Sequence, residues 1–186
     1  MSRVSSAMIP LGSKAPEFLL PDVVTGSFCS LQQLKGKTAT LIAFICNHCP
    51  FVKHINAQLV QLANDYEKKG VKVIAISSND AVQYPEDGPE AMKSAAKQLG
   101  YSFPYLYDES QEVAKALDAA CTPDFFIFNA DLQLTYRGQL DDSRPGNEIK
   151  VSGKDIRAAL DAMINKESIS PLQKPSIGCN IKWKQA

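Results

Sequence analysis

Long apolar runs alternate with amphipathic segments through the middle of the chain. Thr38 to Ile45 is almost entirely apolar, which predicts a strand buried on both faces of a parallel sheet. From Phe51 to Tyr66, apolar residues recur at spacings of three and four, and Gly70 follows, which predicts an amphipathic helix with a glycine stop. A second buried strand is predicted at 71–77 and a second helix at 90–99. This alternation of strands and helices indicates an α/β fold.

The outer parts of the sequence predict strands that make the sheet mixed. Two short strands around a turn at Thr25–Gly26 predict an N-terminal β-hairpin. Towards the C-terminus the pattern predicts a strand at 105–107, a helix at 110–119, a hairpin of strands at 125–128 and 132–137, and a helix from about Ser152 through Ile164. We therefore expect a central mixed sheet with flanking helices. One domain is expected over residues 1–167, followed by a C-terminal tail at 168–186.

Composition and charge exclude several classes of partner. The 186 residues are 45% hydrophobic, enough for a core that needs no disulfide staples. The 20 basic and 20 acidic residues balance, so the sequence predicts no nucleic-acid partner and no membrane partner. A run of about 18 apolar residues, as a transmembrane helix needs, is absent, and the N-terminus lacks the apolar run of a secretory signal. With Met1 as the natural start, we expect a cytoplasmic protein, in which five cysteines are too few for a secreted disulfide framework.

The pair Cys46 and Cys49 carries the predicted chemistry. The two residues lie at the junction of a buried strand and a helix N-terminus, where unpaired amide hydrogens and the helix dipole stabilise a thiolate. We expect Cys46 to attack a substrate disulfide and Cys49 to resolve the mixed disulfide. Pro50 suits the first turn because its missing amide hydrogen had no partner there. His48, between the two cysteines, is expected to lower the thiolate pKa and favour the oxidising end of the known range of potentials.

Other interpretations of this segment stay open. A zinc site would need a second ligand pair, and His48 and His54 are the chain's only histidines, so we predict no metal. Two inert core cysteines are the other alternative. The polar Asn47-His48 interior argues against it because it predicts an exposed loop. His48 could equally be a solvated loop histidine without electrostatic effect.

Several motifs together resemble the AhpC/TSA and redoxin branch of the thioredoxin-like superfamily. They are Ala15-Pro16-Glu17-Phe18 with Leu20-Pro21-Asp22, Ser30-Leu31 through Leu34-Lys35-Gly36-Lys37, the strand–CxxC–helix unit, Thr122-Pro123, and Tyr136-Arg137-Gly138 with Asp141-Asp142. The resemblance covers about residues 8 to 165 and includes a redoxin-like subgroup with the Cys-Asn-His-Cys motif. It implies a thioredoxin-like fold with a helical insertion. It further implies that Thr122 and Pro123, with a cis bond, contact the substrate backbone.

The sequence departs from this branch at functional positions. Peroxiredoxins have Pro-x-x-x-Thr-x-x-Cys; here Ile42 and Cys46 replace the proline and threonine, and Cys49 takes the place of the peroxidatic cysteine. Thr40 occupies the place of the buried acid of thioredoxins, so we expect another proton route, through His48 or water. The Cys-x-His-Cys interior resembles protein disulfide isomerases, which are oxidants.

The sequence contains three further cysteines outside the CxxC motif. Cys121 is expected close to the CxxC motif, either as a partner of Cys46 or as a small buried residue. Cys179 lies in a tail expected to be mobile unless Ile181 and Trp183 dock it, and we consider it as an extra resolving thiol or a partner of Cys29. Cys29 itself is expected to be inert.

These observations predict a thiol-disulfide oxidoreductase with no cofactor beyond a redox-active Cys46–Cys49 disulfide. Its partners would be a disulfide-bearing protein, a small thiol or a peroxide, and an electron donor such as thioredoxin or glutathione. The alternatives are a peroxiredoxin-like antioxidant peroxidase and a thioredoxin-fold module that only binds a partner.

Overall fold

The computed structural model describes residues 3–185, which form ten strands and five helices. The strands are β1 Arg3–Ser5, β2 Leu19–Pro21, β3 Phe28–Ser30, β4 Ala39–Phe44, β5 Val71–Ser77, β6 Tyr105–Tyr107, β7 Cys121–Thr122, β8 Asp124–Asn129, β9 Leu134–Gly138 and β10 Ile177–Asn180. The helices are α1 Leu31–Leu34, α2 Pro50–Glu67, α3 Pro89–Leu99, α4 Glu112–Ala116 and α5 Lys154–Asn165, with a 3₁₀ turn at Pro85–Asp87. Among the helices of this described part, none is long and apolar enough to cross a membrane.

The central sheet confirms the predicted mixed architecture. Its strand order is β6-β5-β4-β8-β9, with β4, β5 and β6 parallel and β8 and β9 antiparallel to their neighbours. All six residues of β4 are buried because the strand lies in the middle of the sheet and is covered on both faces. The expected N-terminal hairpin is the antiparallel pair β2 and β3, and α3 between β5 and β6 is the expected helical insertion.

Two apolar clusters lie on opposite faces of this sheet. One face of β4 packs with the apolar residues of α2, α3 and α5, and the other packs with those of α1, α4 and the N-terminal hairpin. The apolar spacing of α2 explains its place, since Ile55, Leu59 and Leu62 form one buried stripe. The N-terminus of α2 is thereby fixed at the carboxyl end of β4.

A second, three-stranded sheet was not predicted from the sequence. Its order is β1-β10-β7, so the first described strand and the last one sit side by side. Because β10 belongs to the C-terminal tail, this tail is docked on the domain, with Ile181 buried and Trp183 40% exposed. The docking brings a tail strand against the segment that precedes β8.

The start of α5 differs in detail from the prediction. Its N-cap residue is Gly153, in a left-handed conformation that suits glycine, rather than Ser152. The Ser152 hydroxyl instead accepts the Lys154 N–H at 3.3 Å. A capping box does form at α1, where Ser30 and Gln33 bond reciprocally.

Candidate active site

The two cysteines of the CxxC motif lie where strand β4 leads into helix α2. Cys49 is the N-cap residue of α2, and Pro50 occupies the first turn without leaving a donor unpaired. The carbonyl of Cys49 accepts the N–H groups of Val52 and Lys53, which closes the first turn. This local structure is the predicted one, and it places the Cys49 sulfur at the positive end of the helix dipole.

The two cysteines are buried and the Asn47-His48 interior is only partly exposed, which corrects the expectation of an exposed loop. Cys46 is 2% exposed and Cys49 is fully buried. The sequence prediction considered only the polar Asn47-His48 interior. In the structure the 3₁₀ turn Pro85–Asp87 bonds to this interior, and strand β10 lies against Cys49. All five cysteines are thiols, so the structure shows the reduced form of the motif.

The Cys49 sulfur lies among donors that favour its thiolate. Hydrogen bonding from the Cys46 thiol, opposed by burial and assisted by the Cys179 thiol and the N–H groups of Val52 and Cys179, lowers the pKa of Cys49 to about 4. The Cys49 and Cys179 sulfurs are 2.8 Å apart. The Thr122 carbonyl oxygen, 3.2 Å from Cys49 Sγ, accepts the hydrogen of Cys49 in its thiol form. The surrounding donors favour the thiolate form of Cys49.

Cys46 is the proton-bearing partner of this pair. Its hydrogen bond to Cys49, its burial and the negative charge of Asp87 raise the pKa of the Cys46 thiol far above its usual range. The Thr122 hydroxyl, 3.4 Å from Cys46 Sγ, acts in the opposite direction. Burial and the two neighbouring negative groups thus favour the thiol form of Cys46.

His48 is fixed by a buried carboxylate and is not a solvated loop histidine. Its Nδ1 lies 2.5 Å from Asp87 Oδ2 and 4.0 Å from Cys46 Sγ, and its ring stacks on Tyr84. Asp87 also accepts the N–H groups of Asn47 and His48 and the Asn79 side-chain amide. Four donors on one buried carboxyl match a carboxylate, which accepts but does not donate, so Nδ1 carries its proton towards Asp87. The role of His48 in tuning the thiol pair stays a prediction.

The segment Thr122-Pro123 lies beside the sulfurs, as the resemblance implied. The peptide bond between the two residues is cis. The Thr122 hydroxyl is near Cys46 and the Thr122 carbonyl is near Cys49, so one residue contacts both thiols. A role in binding a substrate backbone stays a prediction.

The three other cysteines differ in their surroundings. Cys179 touches Cys49, whereas Cys121 Sγ bonds to the Pro123 carbonyl at 3.5 Å, and burial raises the pKa of Cys121 well above its usual range. Cys29, in β3, contacts the carbonyl of its neighbour Ser27. The structure thus brings Cys179 to Cys49 and not to Cys29.

Asp87 and Asn79 are site residues that the sequence reasoning missed. Both lie between β5 and α3, where the sequence pattern predicts neither a strand nor a helix. Asp87 is fully buried although it follows Pro85 and Glu86 in a polar stretch. The carboxyl ends of the parallel strands β4 and β5 meet at one edge of the sheet. The position of these residues after β5 therefore indicates that they lie near the CxxC motif, which follows β4.

Three potential metal ligands lie close together at the thiols, but two of them already bond to each other. Ligand atoms of Cys46, His48 and Asp87 lie within 4.8 Å of one another. The nitrogen of His48 nearest to Cys46 is bonded to Asp87, so an ion between these groups would have to break that bond. The prediction that the site holds no metal stays a prediction.

Solved structures of high similarity exist for the whole chain. A conserved protein of Geobacillus kaustophilus, described as uncharacterized, is 62% identical, with coverage of 100% of this chain and 98% of that one and a TM-score of 0.98. A hypothetical protein of Sinorhizobium meliloti is 48% identical over 98% of this chain and 99% of its own, with a TM-score of 0.95. A putative thioredoxin of Neisseria meningitidis is 25% identical over 82% of this chain and 91% of its own, with a TM-score of 0.63. No curated protein matches the chain significantly.

The fold and the family agree with the arrangement of the cysteines. The putative thioredoxin of Neisseria meningitidis shares the fold of this chain, in which the CxxC motif joins strand β4 to helix α2. The profile of the Redoxin family matches residues 10–155, which include Cys46, Cys49 and the cis-proline Pro123. The chain is therefore a thioredoxin-fold redox protein that belongs to the Redoxin family.

Proposed function

We propose that this protein is a thiol-disulfide oxidoreductase in which Cys46 attacks and Cys49 resolves. The observation that carries the proposal is the pair of buried thiols Cys46 and Cys49 at the junction of β4 and α2, with the cis-proline segment Thr122-Pro123 beside both sulfurs. A thiolate is the reactive form in disulfide exchange, and a stabilised one marks a working site.

The first step transfers the Cys46 proton to Cys49. This transfer runs against the order of the two pKa values in the free site, so it takes place only as the substrate sulfur approaches Cys46, and it leaves a thiolate on Cys46. Cys46 then attacks one sulfur of a substrate disulfide, a Cys46–substrate bond forms, and the other substrate sulfur leaves as a thiolate. This route supplies the proton acceptor that Thr40 cannot provide. The Thr122 hydroxyl, 3.4 Å from Cys46 Sγ, stabilises the charge while it lies on Cys46.

The second step closes the protein disulfide. Cys49 loses its proton to the departed substrate thiolate and attacks the Cys46 sulfur, which forms Cys46–Cys49 and releases the second substrate thiol. Two electrons pass from the protein to the substrate. Because a stabilised thiolate favours the reduced protein, the couple is expected towards the oxidising end of the range of such sites. An electron donor such as glutathione or thioredoxin, and a cytoplasmic setting, belong to this proposal.

Burial of the sulfurs limits the size and shape of a substrate that can reach them. Cys46 is the outer sulfur of the pair, 2% exposed and next to the Tyr84–His48 stack. A small or extended disulfide reaches such a sulfur with less rearrangement than a rigid protein surface. We therefore expect faster exchange with a dye disulfide or glutathione disulfide than with insulin.

Trapping of mixed disulfides tests the assignment of roles. Cys49→Ser should accumulate a dye adduct on Cys46, because the resolving thiol is missing, and lose steady turnover. Cys46→Ser/Cys179→Ser should also lose turnover but without an adduct at position 46, and Cys29→Ser, which alters a cysteine of the distant β3, should behave as wild type. Steady turnover in the Cys46→Ser/Cys179→Ser variant would contradict the proposal.

A second candidate function is favoured by one observation. The stabilised thiolate is Cys49, which stands at the peroxidatic position of the family pattern and is fully buried, so only a small oxidant reaches it. Peroxide reduction would oxidise Cys49 to a sulfenic acid, and a neighbouring thiol would then release water as it forms a disulfide. Hydroperoxide consumption that survives Cys46→Ser would favour this candidate.

A further inference from the structure

We propose that Cys179 is a third exchanging thiol that forms an alternative disulfide with Cys49. The inference rests on the proposed function and extends it, because Cys49 would form a disulfide with either Cys46 or Cys179. Cys49 has two cysteine neighbours: the Cys46 thiol hydrogen-bonds to it, and the Cys179 sulfur lies 2.8 Å away.

Cys179 contacts Cys49 through its backbone as well as its sulfur. Its N–H group and its thiol both bond to the Cys49 sulfur. Both side chains are buried, at 3% exposure for Cys179 and none for Cys49, so no solvent layer separates them. A thiol that already points at the sulfur of an exchanging cysteine needs no chain movement to reach it.

The backbone of β10 fixes Cys179 at this distance. Cys179 pairs with Thr122 and Asn180 with Cys121, so β10 lies along the segment that ends at the cis-proline. On the other side β1 pairs with β10, with Arg3 opposite Cys179. The strand is therefore held from both edges, and the sulfur it carries is a fixed part of the site.

Gly178 makes the close approach of this strand feasible. A Cβ atom at position 178 would lie 2.0 Å from the Thr122 carbonyl oxygen and 2.6 Å from its carbon. These are backbone atoms, which cannot swing aside, so any side chain at 178 would push β10 away from β7. The glycine next to Cys179 thus serves the contact between Cys179 and the site.

Exchange of the disulfide partner of Cys49 from Cys46 to Cys179 needs no outside oxidant. Starting from the Cys46–Cys49 disulfide, the Cys179 sulfur attacks the Cys49 sulfur, the Cys49–Cys179 bond forms and the Cys46–Cys49 bond breaks. The proton of Cys179 passes to the released Cys46 sulfur, and no electrons are gained or lost. In the reduced site, burial and the bond to Cys49 raise the pKa of Cys179 to about 12. The oxidised protein then keeps Cys46 as an available thiol.

The test uses Cys46→Ser, in which the usual disulfide cannot form. Treated with glutathione disulfide, this variant should lose two hydrogens, and peptide mapping should show Cys49 cross-linked to the peptide that carries Cys179. In Cys46→Ser/Cys179→Ser, Cys49 should instead retain a glutathione adduct. Cys46→Ser/Cys29→Ser is the matched control and should form the same cross-link as the single variant.

The outcomes separate this inference from the proposed function. A stable glutathione adduct on Cys49 in Cys46→Ser, with thermal unfolding equal to wild type, would overturn the role of Cys179 and leave the Cys46–Cys49 couple untouched. A Cys49–Cys179 cross-link in a protein whose wild type forms no Cys46–Cys49 disulfide would overturn the proposed function alone. In partially oxidised wild type we expect both the Cys46–Cys49 and the Cys49–Cys179 disulfide. Absence of the Cys49–Cys179 disulfide at every glutathione ratio would contradict the inference.

Discussion

His48 Nδ1 lies 2.5 Å from the buried carboxylate of Asp87. The same carboxylate bonds to the backbone of Asn47 and His48, so it fixes the whole interior of the CxxC motif. It also places a negative charge near Cys46, which helps to keep the proton on that sulfur. Asp87 is therefore a positioning residue with an electrostatic effect on one cysteine.

Replacing Asp87 should alter the reactivity of Cys46 in a direction set by charge. In Asp87→Asn the carbonyl can keep the backbone bonds, but the negative charge is gone, so the pKa of Cys46 falls and its alkylation extends to lower pH. We also expect a loss of stability of about 1–3 kcal/mol, the usual effect of disturbing a buried polar group. Peptide-resolved alkylation against pH measures the first effect, and thermal unfolding the second.

A nearby acid provides the control for this variant. Glu86, in the same 3₁₀ turn, has an exposed side chain, so Glu86→Gln should leave the alkylation profile of Cys46 unchanged. If Asp87→Asn raised the pH at which Cys46 reacts, the assigned electrostatic effect would be wrong.

Gly178→Ala should loosen the site through the backbone of β10. The added methyl group would meet the Thr122 carbonyl, so we expect a loss of stability of about 1–3 kcal/mol or more from overpacking. Cys49 and Cys179 should then exchange with each other more slowly, although neither thiol was changed. Thermal unfolding and the rate of the Cys49–Cys179 cross-link measure the two effects. Leu172→Ala, at a 90% exposed position of the same C-terminal segment, should change neither.

The charge on Cys49 predicts a specific pH dependence. Its pKa near 4 lies below the ordinary value of a thiol, so the folded state loses its proton more readily than the unfolded state. The thiolate therefore adds stability that is fully present above pH 9, the ordinary pKa of the thiol, and is lost progressively as the pH falls to about 4. The ultraviolet absorbance of the thiolate should persist from neutral pH to about 5 and then decline. In Cys46→Ala, which lacks the largest stabilising bond, the decline should begin at higher pH.

Asp124 predicts a pH dependence of the opposite sign. Burial raises the pKa of this carboxyl to about 8, and none of residues 3–185 hydrogen-bonds to its Oδ1. The folded state thus holds a proton that the unfolded state releases near pH 4, so stability falls as the pH rises between about 4 and 8. Asp124→Asn, which cannot ionise, should flatten this part of the curve and stabilise the protein at pH 8 by a few kcal/mol. A melting temperature that falls as steeply in the variant as in wild type would contradict the assignment.

The elements with strong periodicity could be predicted from the sequence. The buried strand β4, the amphipathic α2 and the boundaries of β5 follow from local apolar patterns, and so does the place of the cysteine pair between strand and helix. The thiol chemistry of Cys46 and Cys49 follows from that placement. These features depend on residues close together in the chain.

What could not be predicted depends on contacts between distant segments. The strand β10 is only four residues long, and its partners are β1 at the opposite end of the chain and β7 beside the cis-proline. The contact of Cys179 with Cys49 spans 130 residues, and that of Asp87 with His48 spans 39. Burial of the motif by these two segments is a tertiary effect that the polar Asn47-His48 pattern alone could not reveal.

The measurement that tests the central claim most directly is a redox titration of the wild-type protein in glutathione buffers, read by peptide mapping after alkylation. The account predicts a reversible couple between about −270 and −120 mV, towards the oxidising end, in which the peptide containing both Cys46 and Cys49 loses two hydrogens. Cys46→Ser should abolish that product. If no reversible disulfide joined Cys46 to Cys49 at any glutathione ratio, the thiol-disulfide exchange assigned to this site would be contradicted.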